Sequence, residues 1–87
     1  MKITKVRYEL YKAIKEYIEK NGYSPTIREL CDITQRNSPA TIKVALDRMV
    51  RDGIISYEKG KNRTIRILAD ESELNIIRDW SRKIWIK

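Results

Sequence analysis

The chain of 87 residues has no histidine, no phenylalanine and one cysteine, Cys31. Without histidine it lacks both an ordinary zinc-ligand set and a partner that would activate a cysteine nucleophile, so Cys31 is predicted to be a small buried hydrophobe. A lone cysteine also excludes an internal disulfide and fits a reducing compartment. No glycine-rich phosphate-binding motif occurs, and the carboxylates are scattered among lysines and arginines. We therefore predict a protein that is not an enzyme and holds no metal or cofactor.

Long apolar runs are also missing. A membrane-spanning helix needs roughly 20 consecutive apolar residues, and the N-terminus MKITKVRYEL contains no apolar stretch typical of a signal peptide. These absences predict a cytoplasmic protein with no membrane partner. The sequence gives no sign of a small-molecule effector.

Basic residues are what the chain has in excess. Lysine and arginine total 19 against 12 acidic residues, for a formal net charge of +7. An excess of this size favours a polyanionic partner such as nucleic acid, although lysine also accumulates for solubility alone. The charge therefore indicates a class of partner, and the pattern of residues has to identify it.

Residues 38–52, SPATIKVALDRMVRD, predict a helix with two distinct faces. Ser38 is a preferred N-cap, Pro39 suits the first helical position, and Gly53 suits the stop. Helical spacing predicts a buried face of Ile42, Ala45, Leu46, Met49 and Val50. The outer face carries Ala40, Thr41, Lys43, Val44, Asp47, Arg48 and Arg51. Its N-terminal end is small or basic, which suits a helix that meets base edges in a DNA groove.

Two helices are predicted before this one. The first runs from an N-cap at Thr4 to about Lys20, and the second begins at a capping box formed by Thr26 and Glu29. A short polar turn, residues 34–37, then leads into the helix at Ser38. This order is the helix-turn-helix arrangement, here without a glycine in the turn.

After Gly53 the pattern changes to one typical of strands. Residues 54–58 and 64–68 are rich in isoleucine, tyrosine and threonine, and residues 59–63 between them contain three cations. We predict a β-hairpin with a basic tip, the part that is called a wing when it follows a helix-turn-helix. A hairpin whose solvated turn happens to be basic is the alternative.

The end of the chain predicts an additional helix, residues 70–86. Asp70 and Glu73 can form a capping box, and an apolar stripe follows at Leu74, Ile77, Trp80 and Ile84. Because such a stripe is broad for one small domain, we predict a dimerisation segment and divide the chain into a DNA-binding domain, 1–69, and a C-terminal helix, 70–87. The alternative is a tail that folds back on the first helix and covers Tyr8 and Tyr11.

Three blocks resemble the N-terminal DNA-binding domain of LexA-type repressors: GYSPTIREL at residues 22–30, SPATIKVALDRMVRDGII at residues 38–55, and TIRIL at residues 64–68. The resemblance implies a winged helix-turn-helix that reads operator DNA in the major groove. LexA continues into a self-cleaving Ser-Lys protease domain, whereas this chain stops soon after the wing, so autoproteolysis is not carried over.

The resemblance also assigns site residues. The positions that match the family's base-contacting residues are Ala40, Thr41, Lys43 and Val44. They differ from the polar and acidic residues associated with well-known members, so the expected operator is not the usual SOS box. Contacts to phosphates or the adjacent minor groove are predicted for Arg28, Ser38, Lys59, Lys61 and Arg63.

The combined prediction is a mainly α protein with a small β-hairpin: a winged helix-turn-helix with an added C-terminal helix. Its predicted function is that of a sequence-specific, double-stranded DNA-binding transcriptional regulator, a repressor acting as a homodimer. The alternative is a winged-helix module that binds another protein in replication or in phage or mobile-element control.

Overall fold

The computed structural model describes the backbone of residues 2–76 and the side chains of residues 3–74. This part of the chain forms, in order, β1 (Lys2–Ile3), α1 (Lys5–Asn21), α2 (Ile27–Thr34), α3 (Pro39–Arg51), β2 (Ile55–Ser56), β3 (Arg66–Ile67), a 3-10 turn (Glu71–Glu73) and β4 (Asn75–Ile76). Three helices with a two-stranded antiparallel hairpin confirm the predicted winged helix-turn-helix. Within residues 2–76 no helix is both long and apolar enough to cross a lipid bilayer.

Each α-helix begins at the residue predicted to cap it. The hydroxyl of Thr4 accepts a hydrogen bond from the backbone N–H of Arg7 at 3.3 Å. At α2, Thr26 accepts from the N–H of Glu29 at 3.1 Å while the Glu29 carboxylate accepts from the N–H of Thr26 at 2.9 Å. These side chains satisfy N–H groups that a helix leaves unpaired at its first turn.

The turn between α2 and α3 is built without glycine. Gln35 takes the left-handed conformation with φ of 58°, a region that costs most L-residues roughly 1–2 kcal/mol. Two backbone bonds close the end of α2, from Gln35 to Asp32 at 3.3 Å and from Arg36 to Cys31 at 2.9 Å. This is the Schellman pattern usually formed by glycine, and it fixes where α3 begins.

The hydrophobic core lies where the three helices meet the hairpin. Its fully buried side chains include Leu10, Tyr11, Ile14, Leu30, Ile42, Leu46, Met49, Ile54 and Ile55. On α3 the predicted buried face is confirmed at four positions, but Val50 is 38% exposed. Cys31 is half-buried and packs against the core, as a small hydrophobe would.

The predicted hairpin is present, but its strands are shorter than the expected runs of residues 54–58 and 64–68. β2 pairs antiparallel with β3, with Ile55 opposite Ile67 and Ser56 opposite Arg66. Ile65 is buried and Leu68 is 58% exposed, so the two sides of the chain here face core and solvent. The wing is defined here as residues 54–68, and the wing loop as residues 59–63.

The predicted C-terminal helix is wrong over residues 70–76. Asp70 and Glu73 do form the predicted capping box, but the helix lasts only one 3-10 turn. The chain then becomes extended, and β4 pairs in parallel with β1. Leu74, which was predicted to contact a second copy, is 8% exposed and belongs to the core of its own domain. Of the other predicted dimerisation residues, Ile77, Trp80 and Ile84 lie outside the described residues.

The segment that follows the wing is attached to α1. The Tyr11 hydroxyl donates to the carbonyl of Ala69 at 2.7 Å, and the Tyr8 hydroxyl donates to the Glu71 carboxylate at 2.6 Å. Lys15 lies 3.5 Å from the same carboxylate. Up to residue 76 the structure therefore matches the alternative in which the tail covers Tyr8 and Tyr11, and the predicted boundary between residues 69 and 70 divides one packed unit.

Candidate nucleic-acid interface

The outer face of α3 presents all four predicted base-reading residues to solvent. Ala40, Thr41, Lys43 and Val44 are exposed, Val44 by 53%. They project outward because the opposite stripe of the same helix fills the core. An exposed valine beside an alanine and a threonine makes this surface unusually apolar for a solvent-facing helix.

A shallow groove between α3 and the N-terminal end of α1 contains the apolar part of this face. Ala40, Thr41 and Val44 form one wall, and Val6 lies on the other. Arg7 and Arg48 also line this groove. The apolar floor with flanking cations is compatible with a thymine methyl group beside the phosphate backbone.

A second cleft opens between α3 and the wing. It brings Lys43 together with Lys59 and Lys61 of the wing loop, over a base that includes Thr26 and Ile27 of α2. Lys61 contacts Glu58 at 3.3 Å, but both side chains are more than half exposed, so water competes strongly with this pair. Three predicted DNA-contacting lysines therefore share one cleft, and Arg63 also lines it.

Two more predicted phosphate contacts lie on the helix-turn-helix, Arg28 in the first turn of α2 and Ser38 at the N-cap of α3. Arg28 is exposed and lines a groove between α2 and the first residues of α3. Ser38 is exposed as well, and its hydroxyl accepts the N–H of Thr41 at 3.2 Å as the N-cap of α3. The hydroxyl hydrogen of Ser38 remains available to an acceptor, since this bond uses only an oxygen lone pair.

Arg63 does not extend outward as a phosphate contact would. Its guanidinium forms a two-pronged ion pair with Glu29, with both N–O distances at 3.1 Å. It also donates to the Tyr17 hydroxyl and the Ser24 carbonyl at 3.2 Å each, and lies 4.7 Å from the centre of the Tyr23 ring. The structure thus gives this arginine a structural role that its place in a basic loop did not indicate.

The base of the wing is joined to α3 by a hydrogen bond from the Tyr57 hydroxyl to the Asp47 carboxylate. Partial burial is the largest cause that raises the pKa of Tyr57 to about 12, followed by the hydrogen bond to Asp47 and then by the Asp47 charge. The protonated phenol is the donor, so this bond exists only while Tyr57 keeps its proton.

The hydrogen bond predicts an alkaline loss of stability. A tyrosine in the unfolded chain titrates near 10, so the folded state favours the protonated form. The contribution of this hydrogen bond to the free energy of unfolding is therefore complete below about pH 10 and is lost as the pH rises towards 12. We expect the stability difference between the protein and its Tyr57→Phe variant to change by about 2 kcal/mol over that interval. Denaturant unfolding of both proteins at each pH measures this difference, because the titration of all other groups cancels between them. A stability difference that stayed constant with pH would contradict the bond from Tyr57 to Asp47.

Sequence reasoning missed the residues that hold the site together. Glu29 was assigned only to a capping box, and neither Tyr57 nor Asp47 was given a partner. Arg36 is also paired, with Glu9 of α1 at 3.2 Å. Opposite charge was the only available signal, and a chain with 19 cations and 12 acids offers many such pairs.

Comparison with known proteins points to one family. The family model described as "LexA DNA binding domain" matches residues 1–64. The LexA repressor of Caldicellulosiruptor saccharolyticus is 35% identical over 78 residues, which cover 87% of this chain and 39% of that protein. LexA repressors of Clostridium botulinum strain Hall and Acetivibrio thermocellus are 32% and 30% identical, covering 79% and 77% of this chain and 34% and 32% of their own lengths. The chain thus spans about a third to two-fifths of the relatives it matches.

Proposed function

Because this chain belongs to the LexA DNA-binding domain family, we propose that it represses transcription by binding a specific operator in double-stranded DNA. The observation that carries the proposal is the outer face of α3. One side of this face has small, apolar side chains, and on the other side Lys43 lies beside the basic wing loop. A helix with this face fits the major groove while the wing lies against the neighbouring backbone.

The base-reading roles follow from the chemistry of each side chain. Lys43 donates to guanine O6 or N7, the acceptors that mark guanine in the major groove. Val44 and the methyl groups of Ala40 and Thr41 contact thymine methyl groups, for which the apolar groove beside Val6 provides a matching surface. The operator we expect has a G·C pair next to thymines.

The positioning contacts come from the edges of the same face. Lys59 and Lys61 bind phosphates beside the recognition helix, and Arg28 and Ser38 bind phosphates near its N-terminus. Such contacts set the register of the protein on DNA without distinguishing sequences. A cytoplasmic location on the nucleoid goes with this function. Homodimerisation on an inverted repeat stays a prediction that rests on residues beyond 76.

A pair of lysine substitutions tests the proposal, once the preferred site has been obtained by selection from random duplexes. Lys43→Ala should cost about 1–3 kcal/mol on the preferred site and relax the preference at one base pair. Lys61→Ala, the matched control, should weaken binding to all sequences alike. It should also make the slope of log K against log salt shallower by about one, the contribution of one phosphate contact. Fluorescence anisotropy on preferred and scrambled duplexes measures both.

Two results would contradict the proposal. Equal losses for Lys43→Ala on both duplexes would remove its base-reading role. If the unchanged protein bound no duplex at ~50 mM salt, where phosphate contacts are strongest, the DNA-binding function would be wrong and the protein-binding winged helix would replace it.

A further inference from the structure

The wing loop is a closed unit. The Thr64 hydroxyl accepts from the N–H of Glu58 at 2.9 Å across the base of the loop, and the N–H of Lys61 bonds the carbonyl of Glu58 at 3.2 Å. A left-handed residue, Arg63 with φ of 59°, turns the chain back into β3. Because these bonds fix the loop internally, any change in how it is anchored moves Lys59 and Lys61 together.

Arg63 is one of several residues whose side chains attach this unit to the helices. Tyr57 ties its base to α3 through Asp47, and Arg63 ties its far end to the start of α2 through Glu29. The Ser24 hydroxyl reinforces the second anchor by accepting the N–H of Ile65 at 3.2 Å. The wing loop is therefore attached through Tyr57 and Arg63, two residues that line the same cleft as Lys43.

Glu29 is also held in place by a hydrogen bond that does not involve Arg63. Its carboxylate accepts the N–H of Thr26 in the capping box, and this bond, followed by the bond from Arg63, lowers the pKa of Glu29. The acid is thus ionised at neutral pH and immobilised at the N-terminal end of the helix-turn-helix. An arginine in a planar two-pronged pair with such a carboxylate is fixed in direction as well as distance.

We propose that Arg63 and Glu29 are positioning residues, whose ion pair sets the wing loop so that Lys59 and Lys61 meet the DNA backbone while α3 is in the groove. This inference rests on the proposed function. It adds that the affinity for DNA depends on an ion pair that does not itself contact the DNA. The pair is about one-third exposed, and exposed pairs contribute little to folding stability. Its main effect is on binding, through preorganisation of the loop.

The substitution Glu29→Gln gives opposite results for positioning and for simple electrostatics. Removing a negative charge should strengthen binding to a polyanion, all the more if it released Arg63 to contact a phosphate. Loss of the anchor should instead weaken binding, by about three- to tenfold. Glutamine keeps the capping box, so Thr26 still caps α2.

The experiment measures affinity for a short random-sequence duplex at about 100 mM salt, together with thermal unfolding. Glu16→Gln, the same chemical change on the exposed surface of α1, is the matched control and should not weaken binding.

A second variant changes the other partner of the ion pair. Arg63→Lys keeps the charge but loses the planar fork, so it should weaken binding as Glu29→Gln does. Its control is Arg66→Lys on the exposed side of β3. The double variant should be no weaker than either single one.

A second readout reports the loop itself. In the free protein, the ¹⁵N heteronuclear NOE of the wing-loop amides should fall in Glu29→Gln and Arg63→Lys but not in the two controls. If Glu29→Gln bound DNA as tightly as the unchanged protein or more tightly, or if Arg63→Lys kept full affinity, the positioning role would be wrong. If Glu29→Gln failed to fold, the comparison of Arg63→Lys with Arg66→Lys would decide alone. Failure of the unchanged protein to bind any duplex would overturn the proposed function, and this inference with it.

Discussion

Replacing Leu74 with alanine should lower the free energy of unfolding by about 2–5 kcal/mol, the range measured for leucines removed from well-packed cores. The side chain is 8% exposed and belongs to the cluster that contains Ile3, Tyr11 and Ala69. Alanine would leave a cavity where the tail meets α1, and the backbone there is held by the β1–β4 pair, so it cannot collapse freely.

Leu68 provides the matched control, because it is the same residue type six positions earlier and is 58% exposed. Leu68→Ala should change stability by no more than about 0.5 kcal/mol. Denaturant unfolding at two protein concentrations separates a core role from a dimer contact. The loss in Leu74→Ala should be the same at both, whereas a residue at a dimer interface would give a loss that depends on concentration. Such a dependence, or a loss below about 1 kcal/mol, would restore the dimer interpretation.

Raising the salt concentration from about 50 to 200 mM should weaken DNA binding roughly fortyfold per bound domain. Each neutralised phosphate contributes a slope of about −0.9 to the plot of log K against log salt. Three cations are placed to make such contacts, namely Arg28, Lys59 and Lys61, whereas Lys43 is assigned to a base. The expected slope is therefore roughly −3, one contact fewer than the basic phosphate contacts predicted from the sequence would give.

The missing contact is Arg63, because its guanidinium is occupied by Glu29. Anisotropy titrations of one duplex at several salt concentrations give the slope. The charge-removing variant Arg63→Gln should keep nearly the same slope while losing affinity, since the lost anchor is not a phosphate contact. A slope near zero would contradict phosphate binding, and a slope that became shallower by about one in Arg63→Gln would return Arg63 to the DNA contacts.

Helix starts and helix faces could be predicted because their causes are local. Thr4, Thr26 and Ser38 cap helices through atoms no more than three residues away, and spacing alone placed Ile42 and Leu46 inside. The same local signal failed at Asp70. The capping box forms there, but the helix ends after one 3-10 turn. Leu74 is buried in the core instead, and the next two residues pair with β1. Both interactions require an extended chain at this point.

The anchors of the wing could not be predicted, because their partners are distant in sequence. Arg63 is 34 residues from Glu29 and was grouped with Lys59 and Lys61 by composition alone. Whether a cation in a loop points to solvent or returns to its own domain depends on where an acid lies in space. The strand β1, two residues long, gave no local signal, and only the packed tail explains its conformation.

The pairing of β1 with β4 also implies an order of events during folding. Lys2 and Asn75 are partners in the ladder, although nearly the whole described chain separates them. Closing so long a loop in an unfolded chain costs more entropy than a two-residue strand pair returns. We therefore expect α1, α2 and α3 to associate first and the ends to join last. The same contact should be the first to open, so the domain loosens at its termini while the recognition helix is still formed.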